Sequence, residues 1–174
     1  MNKMKEIRIE KITLNMGVGE SGEKIKKAIK LLSTISGSNP ISTKSYKRIP
    51  KWKVRPGLEI GVKVTVRGKK AVELLKRLFS AVENKINPKS FDQKGHFSFG
   101  IPEYLEIPEM KYDVDIGIVG LEVAVTLERA GYRIKKRKFK KSKIGKSHII
   151  TREEAMTYIR EEFNIQLGGT EDDN

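Results

Sequence analysis

The sequence predicts a single α+β domain with a mainly antiparallel β-sheet, and three observations support that prediction. Several segments alternate apolar and polar residues with the period of a β-strand, whereas others repeat apolar residues at helical spacing. The later strand-like segments follow one another without helices between them, which favours antiparallel pairing. With 174 residues, the chain is long enough for one domain with a sizeable core, and it shows neither an internal repeat nor a linker.

The first half of the chain predicts the order β-α-β-β-α. The first strand alternates up to Ile9 and again from Ile12, so the phase slips near Glu10 and indicates a β-bulge. A Gly-rich turn follows this strand. The later elements of this half are a helix over Glu23–Ser36 closed by Gly37, a strand over Ile41–Lys44, a strand over 60–66 and a helix over 69–84.

The second half predicts further strands. Residues 97–101 alternate, and the following segment 102–108 contains prolines, which favours a connection over a central strand. A strand pattern then runs over 114–127 and is interrupted near Gly120. Asp113 and Asp115 are thereby expected on one solvated strand face.

A final helix begins at Thr151. Thr151 and Glu154 have the spacing of a capping box, and the buried stripe of this helix is Ala155, Ile159 and Phe163. The predicted domain therefore covers residues 1–165, with basic loops at 44–57 and 133–148. A polar, acidic tail is expected at 166–174, with residues 171–174 disordered.

The charge of the chain indicates a polyanionic partner. The 36 Lys and Arg residues exceed the 22 Asp and Glu residues, which gives a formal net charge of +14 and a pI near 9.9. Such a charge repels itself in a lone small protein, and a nucleic acid neutralises it more simply than a membrane surface does. A basic surface without any polyanionic partner is the alternative.

The residue types exclude several chemistries. Without cysteine, the chain has no disulfide, no Cys-ligated zinc and no catalytic thiol. His96 and His148 lie far apart in the sequence, and no nucleophile stands beside a base, so we expect neither an enzyme, a metal nor a cofactor. No segment approaches the ~18 apolar residues of a membrane span. The N-terminus lacks the apolar core of a signal peptide, so a soluble, cytoplasmic protein is expected.

The turn after the first strand has the pattern GxGxxG, formed by Gly17, Gly19 and Gly22. Before a helix, this pattern can seat the pyrophosphate of a dinucleotide. However, the region about 20 positions on is basic rather than acidic. Those bases leave an NADP-dependent enzyme as one hypothesis, but the repeated βα units of a dinucleotide fold are missing. The other interpretations are a tight turn and, favoured here, glycines that let an RNA backbone approach closely.

Two segments concentrate the positive charge. Residues 44–55 hold six cations in twelve residues with no acid, interleaved with Tyr46 and Trp52. Residues 133–146 hold nine cations in fourteen residues, again with no acid, around Phe139. Cations contact phosphates and aromatic rings stack on exposed bases, so both segments favour RNA binding. Solvated flexible loops are the alternative, and for the second segment also a localisation-like tract.

Five segments carry a family resemblance and occur in family order: LNMGVGE at 14–20, IGVKVTVRG at 60–68, GHFSFGIPE at 95–103, IPEMKYD at 107–113, and TREEA at 151–155 with Phe163 after it. They resemble the ribosomal protein five family of the large subunit. The basic segment before the last helix resembles the archaeal type. The resemblance implies an antiparallel sheet with helices packed on one face.

The resemblance also implies a role and partners. Members bind 5S rRNA and large-subunit rRNA in the central protuberance, contact P-site tRNA, and bridge to a protein in the small-subunit head. Asn15 and Thr65 match RNA-facing family positions, whereas Ser38 stands where the family has Gln, which puts one hydrogen bond in doubt. A nucleic-acid-binding module that acts outside the ribosome is a further hypothesis.

Three sets of site residues are predicted. Residues expected to contact 5S rRNA are Asn15, Gly17, Gly19, Lys24, Ser38, Thr43, Lys44, Lys63, Thr65 and Arg67. Those expected in a loop toward tRNA are Lys47, Arg48, Lys51, Trp52, Lys53 and Arg55. Those expected to contact large-subunit rRNA are Arg133, Lys135, Lys136, Arg137, Lys138, Lys140 and Lys141.

Overall fold

The computed structural model describes residues 2–19 and 22–168. Its helices are α1 (Glu23–Ser36), α2 (Lys69–Ala81), the short α3 (Arg133–Lys136) and α4 (Arg152–Phe163). Its strands are β1 (Ile7–Gly17), β2 (Ile41–Lys44), β3 (Glu59–Val66), β4 (Lys85–Ile86), β5 (Phe97–Ile101), β6 (Leu121–Arg129) and β7 (Gln166–Leu167).

Five strands form one sheet in the order β2-β3-β1-β6-β5, and all four neighbouring pairs are antiparallel. The long strand β1 lies at the centre. A second sheet consists of β4 and β7 alone, which pair in parallel. The predicted α+β class with a mainly antiparallel sheet is confirmed.

One face of the large sheet forms the hydrophobic core. On β1 the residues Ile12, Leu14 and Met16 are buried, which is the alternation that the sequence shows. Helix α1 packs against β3 and α2 packs against β1. The two helices bury their apolar stripes in the same cluster as these strand residues. Helices α1 and α2 therefore cover one face of the sheet, and most of the other face is left to solvent.

The predicted β-bulge lies at Glu10. The register between β1 and β6 shifts between Ile9 and Lys11, so Glu10 is the extra residue. Before the bulge Ile9 packs against the core, and after it Ile12 does. The slip in the sequence alternation thus has a direct structural cause.

The N-terminus of α4 is fixed by the predicted capping box. The Thr151 hydroxyl accepts a hydrogen bond from the Glu154 backbone N–H at 3.3 Å, and the Glu154 carboxylate accepts one from the Thr151 N–H at 2.9 Å. Glu154 also pairs with the buried guanidinium of Arg129 at 2.8 Å. Gly95, with φ +73°, packs against this helix end, where a Cβ would lie 2.7 Å from Ile150.

The predicted strand at 114–118 is wrong. The segment forms turns, and Val114 and Ile118 are 82% and 65% exposed. Asp113 starts the turn, because its carboxylate accepts from the Asp115 N–H at 3.0 Å. Gly117 then has φ +73°. The local turn chemistry therefore overrides the apolar alternation, and Asp113 and Asp115 do not share a strand face.

Two other boundaries differ from the sequence pattern. Helix α2 ends at Ala81 instead of Asn84, since Glu83 and Asn84 have φ +53° and +57°. This turn leads into β4, which pairs with β7. β7 occupies the start of the range 166–174, where the sequence predicts a tail, whereas residues 171–174 lie outside the described part of the chain.

Candidate nucleic-acid interface

The uncovered side of the sheet, which we call the open face, follows from strand register. Residues that alternate with the buried ones point away from the helices, and directly paired residues point to the same side. The open face includes Arg8, Lys11, Thr13, Asn15, Gly17, Ile41, Thr43, Gly61, Lys63, Thr65, Ser98, Gly100, Glu122, Ala124, Thr126 and Glu128.

Polar side chains occupy the centre of the open face. Asn15 pairs with Lys63 on one side and with Glu122 on the other, and Thr13 pairs with Thr65. The Asn15 amide donates a hydrogen bond to the Glu122 carboxylate at 3.1 Å. Lys63 and Thr65 are exposed. These two adjacent rows offer hydroxyls, an amide, a carboxylate and an ammonium group to a ligand lying across the sheet.

Thr43 and Gly61 fit together at the edge of the open face. A Cβ at Gly61 would lie 2.9 Å from the Thr43 hydroxyl and 2.9 Å from the Met16 carbonyl oxygen. Because neither β2 nor the backbone of β1 can yield at that distance, glycine is required at position 61. The hydroxyl of Thr43, which is one of the residues predicted to contact 5S rRNA, therefore lies against Gly61 of β3.

The Gly-rich turn extends this edge but does not form a dinucleotide site. The N–H groups of Val18 and Gly19 both donate to the Ile60 carbonyl, at 3.0 and 2.9 Å, which fixes the turn to β3. Gly17 is exposed, and Gly19 has φ +73°. β1 has antiparallel neighbours, whereas a dinucleotide fold needs parallel βαβ units. The NADP-dependent hypothesis is therefore wrong.

The remaining residues of the predicted 5S set lie around the open face rather than on it. Lys24 is on the first turn of α1, on the covered side, and lines a small cavity with Gly17. Ser38 follows α1, and its N–H and hydroxyl both contact Ser36, at 3.3 and 3.4 Å. Lys44 and Arg67 are exposed at the ends of their strands.

The loop over residues 45–57 is an ordered hairpin. Ser45 and Gly57 are joined by a backbone hydrogen bond of 2.8 Å, and Ile49 forms a β-bridge with Val54. Val54 is buried, although it lies outside the main hydrophobic cluster. A 3₁₀ turn over Pro50–Trp52 forms its tip, where the Trp52 side chain is 68% exposed. The hairpin therefore presents an indole between exposed lysines.

The basic segment over residues 133–148 folds back on the sheet. Lys136 forms ion pairs with Glu10 at the bulge and with Glu128 on β6. At the far end, the Tyr132 hydroxyl donates to the His148 carbonyl at 3.1 Å. Most cations of this segment are exposed. Of the predicted set, Lys135, Lys136 and Lys141 lie beside Lys11 and Thr126 at one end of the open face, and Lys136 also holds the segment in place.

His96 lies where the basic segment meets the sheet. Its ring Nδ1 accepts a hydrogen bond from the Leu127 backbone N–H at 3.3 Å. Burial lowers the pKa of His96, against the opposing field of Asp92. The ring is therefore neutral at pH 7, with its proton on Nε2. The sequence alone predicts a surface or loop histidine here, because the neighbours of this ring come from distant parts of the chain.

Comparisons with known proteins agree with this architecture. The family model for the C-terminus of the ribosomal L5 family matches residues 59–158, and the model for ribosomal protein L5 matches residues 2–55. Large ribosomal subunit protein uL5 of Nanoarchaeum equitans is 53% identical over 94% of this chain and 97% of the relative. The uL5 protein of Sulfurisphaera tokodaii is 45% identical over 96% and 95%. The chain belongs to the ribosomal protein L5 family, in its archaeal form.

The family comprises structural proteins of the ribosome and not enzymes. Among residues 2–19 and 22–168, no three His, Cys, Asp or Glu side chains are grouped so that they could hold a metal ion. Over the same residues, the helices are too short or too polar to span a membrane.

Several open-face residues lie outside the predicted sets. Lys11 and Thr13 share a side with Asn15, and the period-2 pattern of β1 contained that signal. Ser98 and Thr126 likewise alternate with buried residues. His96 and Lys94 carried no such signal, because only the folded chain places them beside the basic segment.

Proposed function

We propose that this member of the ribosomal protein L5 family is a structural constituent of the large ribosomal subunit in the cytoplasm. It binds 5S rRNA through the open face and large-subunit rRNA through the basic segment. The hairpin over 45–57 contacts P-site tRNA. A bridge to a protein in the small-subunit head, and contacts with neighbouring ribosomal proteins, complete the proposal and rest on the family alone.

The open face is the observation that supports the 5S assignment. An uncovered sheet face normally exposes polar residues because water solvates them, and such residues need not bind a ligand. Here two hydroxyls (Thr65 and Thr13) and an amide (Asn15, beside Lys63) stand in two adjacent cross-strand rows. RNA is recognised largely by shape and by contacts to phosphates and 2′-hydroxyls, which such rows can supply. Gly17 and Gly61 have no side chains, so a ligand backbone can approach this surface closely at these two positions.

The two basic elements support separate RNA partners. The hairpin projects cations and Trp52 on an ordered tip, which suits contact with an exposed RNA surface at a distance from the sheet. The basic segment instead lies against the end of the open face through Lys136. Its remaining cations can therefore neutralise RNA that continues beyond the sheet.

Footprinting on isolated 5S rRNA tests the open face. The variant Lys63→Glu places a carboxylate in the central row and should abolish protection of the RNA. The matched variant Lys76→Glu changes the same charge on the exposed side of α2 and should retain the protection. Equal footprints from both variants would assign 5S binding to another surface. Co-sedimentation with large subunits separates a ribosomal constituent from a free nucleic-acid-binding module, which would stay in the supernatant.

A further inference from the structure

A cavity of about 700 Å³ lies between the basic segment and the end of the open face. Its rim is cationic, with six lysines against the single carboxylate of Glu10. The lysines come from three separate stretches of the chain: Lys11, Lys94, Lys135, Lys136, Lys141 and Lys143. The fold therefore adds Lys11 and Lys94 to the positive potential of the basic segment.

The interior of this cavity, in contrast to its cationic rim, is partly apolar. Tyr132, Ile144 and Ile149 contribute to an apolar wall. His96 lines the cavity as well, and its neutral ring has an Nε2–H that can donate to a base edge or a phosphate oxygen. An apolar wall beside a cationic rim matches a ligand with a flat base at one end and a phosphate at the other.

We propose that this cavity binds one unpaired nucleotide of the RNA partner, with its phosphate among the rim lysines and its base against the apolar wall. The proposal rests on the proposed RNA-binding function and adds a specific pocket to it. Its volume lies within the range of small-molecule sites, so one nucleotide fits whereas a base-paired helix does not. Bases splayed out of a loop or bulge are the usual targets of such pockets.

The anchoring of the basic segment supports this assignment. Lys136 contacts Glu10 and Glu128, so the roof of the cavity is tied to the sheet. The Tyr132 hydroxyl accepts from the Ile150 N–H at 3.0 Å, which fixes the other side. A pocket held by bonds of this kind exists before the ligand arrives, which reduces the entropy lost on binding.

Amide NMR on the ¹⁵N-labelled full chain tests the proposal directly. The Leu127 N–H is bonded to His96, so its resonance reports on the cavity. Adenosine monophosphate should shift this resonance with an affinity about tenfold above that of inorganic phosphate, which lacks the stacking base, or of adenosine, which lacks the phosphate. If inorganic phosphate causes the same shifts and binds with the same affinity, the cavity is a simple anion site and the nucleotide proposal is wrong. An unchanged Leu127 resonance would overturn the proposal.

Two double variants supply the matched comparison. Lys135→Ala with Lys141→Ala removes two rim cations, and Arg133→Ala with Lys138→Ala removes equal charge from the same segment outside the cavity. The first pair should weaken adenosine monophosphate binding about tenfold and the second about twofold or less, because Arg133 and Lys138 do not line the cavity. If both pairs weaken binding equally, only general charge acts there. A chain that binds 5S rRNA while ignoring the nucleotide refutes the cavity alone, whereas a chain that binds no ribosomal RNA refutes the proposed function.

Discussion

Asn15 and Thr65 are polar residues in strands whose alternate residues are buried. Both lie on the open face, and the Asn15 amide is oriented by Glu122. We expect Asn15→Ala and Thr65→Ala to weaken 5S rRNA binding by about 0.5–1.5 kcal/mol each, because each loses one hydrogen bond to RNA. The free energy of unfolding should change by less than about 0.5 kcal/mol, since neither side chain packs in the core. Filter binding and urea unfolding measure the two quantities.

Thr157→Ala is the control for these variants. Thr157 is an exposed threonine on α4, with its hydroxyl bonded to the Glu153 carbonyl at 3.0 Å. Thr157→Ala removes the same side-chain atoms as Thr65→Ala, but at a position away from the sheet. It should leave RNA affinity unchanged. Lower stability with unchanged affinity in Asn15→Ala or Thr65→Ala would make these residues structural.

Glu154 couples a helix cap to a buried charge, and this makes stability depend on pH. The Thr151 N–H, and then Arg129, lower the pKa of the Glu154 carboxyl. A lowered pKa means that the ionised form stabilises the fold. This contribution is complete above the ordinary carboxyl pKa and is lost as pH falls through the lower folded-state pKa.

We expect Glu154→Gln to reduce the free energy of unfolding at pH 7 by about 1–2 kcal/mol. Gln can still accept the capping hydrogen bond, but it leaves the guanidinium of Arg129, only 5% exposed, without its charged partner. Urea unfolding at pH 7 and at pH 3 checks this result. The difference from the parent chain should shrink at the lower pH. Glu153→Gln, a neighbouring first-turn carboxylate, should cost less than about 0.5 kcal/mol.

At the scale of elements, the proposed tRNA contact of the hairpin over 45–57 can be tested separately from 5S rRNA binding by the sheet. Replacing Lys51, Lys53 and Arg55 with Ala should leave isolated 5S rRNA binding within about threefold, because exposed rim charges contribute well under 1 kcal/mol each. The same change should weaken tRNA retention in the P site of reconstituted ribosomes. These cations lie around the 3₁₀ turn at the tip of the hairpin and not among the strand residues of the open face, which is the reason for the separation.

The exposed α2 residues Lys69, Lys70 and Lys76, replaced together by Ala, provide the equal loss of charge. This control should preserve both activities. A hundredfold loss of 5S binding by the hairpin variant, with normal tRNA retention, would reverse the assignment of the hairpin.

The elements also show where sequence patterns suffice. The slip near Glu10 predicted a bulge, and Thr151 with Glu154 predicted the start of α4, because both signals are local. The pattern at 114–118 failed, since Asp113 forms a turn that the alternation does not reveal. The β4–β7 pair was missed, because two-residue strands have no period to detect.

At the scale of the whole molecule, the sequence could predict the side on which Asn15, Lys63 and Thr65 lie, but not the row that Lys63, Asn15 and Glu122 form across three strands. That row needs the order β3-β1-β6, which depends on pairings far apart in the chain. The same limit applies to the basic segment. The charge of the basic segment is evident from composition, whereas its position beside the β-bulge depends on ion pairs from Lys136 to Glu10 and Glu128. Composition therefore predicts the kind of partner, and topology decides which surface meets it.

The net charge of +14 predicts steep salt dependence of RNA binding. Lysines and arginines on the hairpin, the basic segment and the edges of the open face release counterions when they neutralise phosphates. With roughly 6–10 phosphates neutralised, affinity for ribosomal RNA should fall on the order of 10³–10⁵ between 50 and 200 mM salt, if the slope for duplex DNA applies. A titration at five salt concentrations gives that slope. Removing the three hairpin cations should hardly change the slope on isolated 5S rRNA, whereas removing Lys135 and Lys141 should lower it on rRNA that reaches the basic segment. A nearly flat logarithmic plot for the parent chain would show that hydrogen bonds and shape, not charge, supply the affinity.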